Sequence, residues 1–137
     1  MSNLRKVVVK TMTVNRSVDD VFDFFEEVKK NMEVGGAAKS VVKGSDGWWM
    51  FDHVVAGRAK IKHVPFRQAG VLVHIFIGGG LEWKVYVRIV PNQGGSTVIW
   101  TFVRPDGLID EQFEDQLNTG FDHEIALWKD ALEGRQN

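Results

Sequence analysis

The chain of 137 residues contains no cysteine. That excludes disulfide frameworks, thiol nucleophiles and cysteine-ligated zinc or iron–sulfur sites. Proline is scarce and there is a single tyrosine. No apolar run approaches the roughly 20 residues that span a bilayer, so no integral membrane segment is expected. Met1-Ser2-Asn3-Leu4-Arg5-Lys6 leads into a strand-like run, with no secretory apolar region and no small-residue cleavage site. A cytoplasmic location is the expectation. Excess charge of one sign is also missing. Seventeen Lys and Arg face eighteen Asp and Glu, a balance that argues against a dominant nucleic-acid surface. No His-x-x-x-His or similar spacing occurs, and no Gly-x-Ser-x-Gly elbow, so neither a metal site nor a serine triad is expected. No cofactor signature is present either.

What the chain does have is globular composition, 44% hydrophobic and 26% charged, which separates it from disordered sequences. Its length suits one domain, 1–137, able to bury about two-thirds of its surface without staples. The aromatics are skewed to nine Phe and five Trp, and five Trp in so short a chain exceed what a minimal core needs and point to a lined pocket.

The order of elements reads strand, helix, six strands, long helix. Residues 5–14 are rich in β-branched side chains. Ser17 is a good N-cap, with Asp19 and Asp20 in the first turn. Val18, Val21, Phe22, Phe25, Val28 and Met32 then form one helical stripe that Gly35-Gly36 ends. From 40 to 104, short strand-like runs alternate with turn signals such as Gly44-Ser45-Asp46-Gly47 and Gly78-Gly79-Gly80. Trp49, Phe51 and His53 share one strand face. So do Ala59, Ile61 and His63 on the next strand, and Leu81, Trp83, Val85, Val87 and Ile89 further on. Val98, Trp100 and Phe102 form a bulky face. The run 71–77 is apolar on both faces and its phase is open. After Pro105-Asp106-Gly107, a helix over 108–133 carries Phe113, Leu117, Phe121, Ile125, Trp128 and Leu132 on one stripe.

This order, and the phrase from Met12 to Phe25 (Met-Thr-Val-Asn-Arg-Ser-Val-Asp-Asp-Val-Phe-Asp-Phe-Phe), resembles the START-like helix-grip superfamily. That group includes polyketide cyclase/dehydrase, lipid-transport and birch-pollen-allergen proteins. The ending Leu127-Trp128-Lys129-Asp130-Ala131-Leu132-Glu133 is similar to its closing helix. Neither phrase is a catalytic motif. The resemblance implies an α+β fold: a curved antiparallel sheet of about seven strands gripping the long C-terminal helix, with a short helix after the first strand. It also implies a cavity between sheet and helix that holds a small apolar or aromatic molecule. Two features depart from the pattern. Residues 31–40 contain no aromatic, and the glycine-rich loop of the allergen branch is reduced to Gly44–Gly47.

The candidate lining is Trp49, Phe51, Ile61, His63, Trp83, Val85, Trp100, Phe102, Phe113, Leu117, Gly120, Glu124 and Trp128. Glu124 falls inside the apolar stripe of the last helix, where a carboxylate is costly unless paired or protonated. Gly120 lies on the same stripe and could open room for a ligand. His63 and Glu124 would orient the ligand. In a second reading they are acid and base of a cyclase or dehydratase acting on a polyketide-like substrate. A third reading is an interaction module with a filled cavity, using Trp48, which must face away from Trp49 and could support a homodimer. Arg58, Lys60 and Lys62 read first as a solvated sheet face, with a weak contact to an anionic membrane as the remaining option.

Overall fold

A computed structural model describes residues 4–134 of the chain, so the reading of Met1-Ser2-Asn3 lies outside the described residues. The seven strands are β1 (Val7–Val14), β2 (Ala38–Lys43), β3 (Trp49–His53), β4 (Gly57–Phe66), β5 (Val71–Gly78), β6 (Leu81–Asn92) and β7 (Gly95–Val103). They form one antiparallel sheet in the order β1-β7-β6-β5-β4-β3-β2. The sheet is a meander whose first strand closes onto its last, and it curves around the helices.

The α1 helix (Val18–Glu26) starts at Ser17, whose Oγ accepts from the Asp20 amide at 3.1 Å. The expected single helix through Met32 is two helices. Glu27 leaves helical geometry at φ −81°, ψ 75°, and α2 (Val28–Gly35) restarts beyond it. The apolar stripe runs through the break because both helices face the sheet, with Phe22 and Phe25 buried on one and Val28 and Met32 on the other. Gly36, left-handed at φ 79°, ends α2.

The C-terminal helix comprises α3 (Asp110–Gln116), a π-helical stretch Leu117–Phe121, and α4 (Asp122–Leu132). The wider turn corrects the phase expected for Gly120. In the π stretch the four-residue step from Leu117 to Phe121 stays on the sheet, while Gly120 turns outward, exposed, with open space where a Cβ would sit. Lys10, on the inward face of β1, fixes this stretch. Its Nζ donates to Asn118 Oδ1 at 2.6 Å and reaches Asp122 at 3.0 Å.

The buried side chains form two clusters. The larger unites α1 and the C-terminal helix with β1, β5, β6 and β7 through Phe22, Phe25, Trp100, Phe102, Phe113 and Trp128. The smaller unites α2 with β2, β3 and β4 through Val28, Met32, Val41, Phe51 and Ile61. Ser40, at φ 56°, sits where the β2–β3 register shifts, and this bulge brings both Ala38 and Val41 inward.

Candidate functional site

Phase in the sheet follows the sequence patterns. His63 of β4 points inward beside Ile61, and register pairs it with His74 of β5. The open phase of 71–77 resolves with Leu72 and His74 inward and buried. The two imidazoles stack in parallel, centroids 4.0 Å apart and planes 5° apart. Leu72 on one side of His74 belongs to the larger cluster, and Phe76 on the other packs on the smaller. The histidines therefore mark a seam between two apolar regions.

The elbow between α1 and α2 supplies the seam's backbone. Breaking the helix at Glu27 frees the Phe25 carbonyl, which accepts from Asn31 Nδ2 at 2.9 Å and meets His63 Nδ1 at 3.0 Å. A carbonyl only accepts, so His63 carries its proton on Nδ1 and leaves the Nε2 lone pair facing inward. Asn31 is almost wholly buried. Its own carbonyl accepts from Trp128 Nε1 at 2.8 Å.

Glu124 stands next to that indole. A methyl group placed on Gly35 would lie 3.2 Å from Trp128 Nε1 and 3.3 Å from Glu124 Oε1, so α2 approaches α4 closely only because residue 35 is glycine. Glu124 is mostly enclosed and makes no hydrogen bond or ion pair with another described residue. Loss of hydration raises its pKa to about 8, so it is predominantly protonated at neutral pH. The same desolvation lowers His63 to about 4, outweighing its bond to Phe25. His74 is held well below its ordinary value by burial and by its His63 neighbour. Both imidazoles are neutral at pH 7.

Among the described residues four buried polar side-chain atoms lack a hydrogen-bond partner: three lie here, His63 Nε2, His74 Nε2 and Trp100 Nε1, and the fourth, Arg104 Nε, is ion-paired with Asp110 at 2.9 Å. Trp100 stacks on Trp128 at 5.8 Å, and Phe25 packs edge-on against both. The seam thus joins His74, His63, the Phe25 carbonyl, Asn31, Trp128 and Glu124, with Trp100 alongside.

The expected lining is divided by this arrangement. Trp83, Val85, Trp100, Phe102, Phe113, Leu117 and Trp128 come together in the larger cluster. Their rings touch, as in Trp83–Phe113 at 5.8 Å and Trp100–Phe121 at 5.3 Å. Trp49, Phe51 and Ile61 belong to the smaller one. His63 and Glu124 lie on the seam, and Gly120 lies outside. His53 points inward, but its Nδ1 accepts from the Val55 and Ala56 amides and closes the β3–β4 turn. Trp48 is half-buried rather than openly exposed, because Lys60 Nζ covers its ring at 4.5 Å.

Sequence reasoning missed Asn31, Gly35 and His74. Asn31 had a signal: it follows Val28 by three residues on the inward stripe. His74 had none, since its strand is apolar on both faces.

Two clefts border the elbow. One, of about 440 Å³, runs along α2 where Trp49 meets Val28 and Val34, with Lys29, Lys30 and Glu33 at its rim. The other, of about 620 Å³, is bounded by Asp23, Glu26, Glu27, Pro65 and Arg67. Arg67 closes its far side through Asp23 at 2.7 Å and Glu26 at 2.5 Å.

No protein-family model and no curated protein sequence matches the chain. Solved structures do. An uncharacterized protein from Bacillus thuringiensis superposes with a TM-score of 0.75 at 9% identity, covering 93% of this chain and 98% of its own. A START superfamily protein from Mycobacterium smegmatis gives 0.73 at 10% identity, with 93% and 97% covered. Ara h 8.0201 gives 0.70 at 13% identity, with 95% and 99% covered. The chain has the START-like helix-grip fold: a seven-stranded curved sheet, a short helical pair after β1, and a long C-terminal helix. At these identities the likeness establishes the fold alone.

Proposed function

We propose that the chain binds one small, largely apolar or aromatic molecule along the seam, reached from the cleft over α2. The carrying observation is the set of buried, inward polar atoms without partners, His63 Nε2, His74 Nε2 and Trp100 Nε1, with the half-buried, protonated Glu124 carboxyl beside them. A buried polar atom left unsatisfied costs about 1–3 kcal/mol. Three in one region of a well-packed interior, next to a neutral carboxyl, suit a site completed by a ligand's own polar atoms. The surrounding Trp100, Trp128, Phe25 and Trp49 rings offer apolar area, and the helix-grip resemblance points to the same ligand class.

The acid–base reading has one supporting fact: Glu124 is held protonated while His63 stays neutral, poles of a general acid and a general base. The hydrogen bonds from His63 run through the Phe25 carbonyl and Asn31 to Trp128 and stop short of Glu124. That geometry supports orientation of a ligand better than proton transfer.

Native mass spectrometry of freshly purified protein tests the proposal together with titration by the neutral apolar probe N-phenyl-1-naphthylamine. The expected result is a small-molecule adduct released on unfolding, or probe binding that quenches tryptophan emission. Glu124→Leu should weaken that binding about tenfold, the loss of one hydrogen bond to a ligand. A bare mass combined with no probe binding overturns the proposal.

A further inference from the structure

Charge is segregated along this nearly neutral chain. Residues 38–92, which hold β2 to β6, carry eight Lys and Arg against three Asp and Glu; the rest carry nine against fifteen. The helices therefore make one side acidic, and the outer, convex side of the sheet collects the cations.

Register shows how. Lys60 and Lys62 of β4 stand beside Ile77 and Ile75 of β5, which stand beside Glu82 and Lys84 of β6. The next rows place Val73 beside exposed Tyr86, and Val71 beside exposed Arg88. Of the three carboxylates in this stretch, Asp52 pairs with Arg58 at 3.3 Å and Asp46 lies in the β2–β3 turn. Glu82 alone faces the four cations among the described residues. Aliphatic side chains thus run between rows of Lys and Arg, on a face where Trp48 of the β2–β3 turn lies over Lys60 and Lys62 while Lys84, Tyr86 and Arg88 stand exposed.

We propose that this convex face docks on an anionic lipid bilayer. Lys60, Lys62, Lys84 and Arg88 meet the headgroups, and Ile75 and Tyr86 settle at headgroup depth. A face that is both basic and apolar matches such a surface. The acidic helical side is repelled by the same surface, which fixes the orientation. A convex sheet has no groove to hold a peptide. Lys60 lies 4.5 Å from the Trp48 ring centre and Lys84 lies 5.7 Å from that of Tyr86, across faces that stacked bases would need.

The test is co-sedimentation with phosphatidylcholine vesicles, with and without phosphatidylserine, at low and high salt. Binding should require phosphatidylserine and fall at high salt. Each reversal among Lys60→Glu, Lys62→Glu and Lys84→Glu should weaken it by roughly fivefold or more. The control Lys29→Glu/Lys30→Glu, on α2, should bind like wild type. Circular dichroism confirms that each variant is folded. The proposal fails if wild type ignores phosphatidylserine at low salt. It fails too if the α2 control loses as much as the sheet variants, or if poly-dT or poly-glutamate is bound while vesicles are not.

Discussion

The two apolar clusters are built from the same sheet but differ in kind. The larger is aromatic and locked by ring geometry. Trp100 and Trp128 touch each other and both Phe25 and Phe121, with centroid separations of 5.3–6.0 Å. The smaller is mainly aliphatic, with Phe51 as its fully buried ring, and it rests on the eight residues of α2. Between them run polar groups that neither cluster satisfies. If the polar seam divides the core, the two regions open separately, coupled only by hydrogen bonds along it such as Trp128 to Asn31.

The largest test of that difference is a pair of truncations. Trp100→Ala should cost about 3–5 kcal/mol and lower amide protection across the sheet, because its ring joins α1, the C-terminal helix and β7. Phe51→Ala should cost about 3 kcal/mol, with faster exchange confined to β2, β3 and α2. Hydrogen exchange read by mass spectrometry distinguishes the two. Uniform loss of protection in both variants would show that the seam does not divide the core.

Acidity offers a smaller test that acts on the seam itself. Glu124 has its folded pKa at about 8 against an ordinary 4.5. Below 4.5 it is protonated in both states. Between 4.5 and 8 the unfolded chain ionises and the folded chain does not, so stability falls as pH rises. His63 is reversed: its folded value of about 4 lies below the ordinary 6.5. Above 6.5 it is neutral in both states, and below that the unfolded chain takes up the proton first. Stability then falls as pH drops towards 4, and His74 adds to the same limb. Together they place maximum stability at about pH 6. Glu124→Gln should remove most of the alkaline limb, a gain of about 2 kcal/mol at pH 8 after allowing for partial exposure. His63→Phe should flatten the acid limb. Urea unfolding across pH 4–9 measures both. An unchanged alkaline slope in Glu124→Gln would mean that the carboxyl is well solvated.

How far the fold was legible follows from where local pattern decides structure. Ser17 caps its helix by chemistry confined to four residues. β4, β6 and β7 are wet on one face, so alternation exposed their phase. β5 is apolar on both faces, and only pairing with β4 and β6 turns His74 inward. The break at Glu27 carries no glycine or proline. It is held by a side chain six residues from the carbonyl it frees, and by a histidine two strands into the sheet. The π stretch likewise depends on Lys10, more than a hundred residues away in sequence. Glu124 was readable as a misplaced carboxylate and Trp128 as its stripe neighbour, but Gly35 and Asn31 beside them were not, because the seam is assembled across α2, α4, β4 and β5.

The finest contrast lies between two glycines, one beside the seam and one away from it. At Gly35 a new methyl group would press on Trp128 Nε1 at 3.2 Å and on Glu124 Oε1 at 3.3 Å. The carboxyl can swing aside. The indole cannot, held by its bond to Asn31 and wedged among Phe25, Trp100 and Phe121. Gly35→Ala should therefore destabilise by about 1 kcal/mol, despite alanine's better helix propensity. At Gly120 the methyl group meets nothing, and only the entropy of the unfolded chain changes. Gly120→Ala should stabilise by about 0.5 kcal/mol and leave probe binding untouched. Denaturant midpoints of the two variants, measured together, give opposite signs if α2 truly closes on α4 at the seam. Equal and favourable shifts would mean that the helices stand further apart there, with room that a ligand could use without rearrangement.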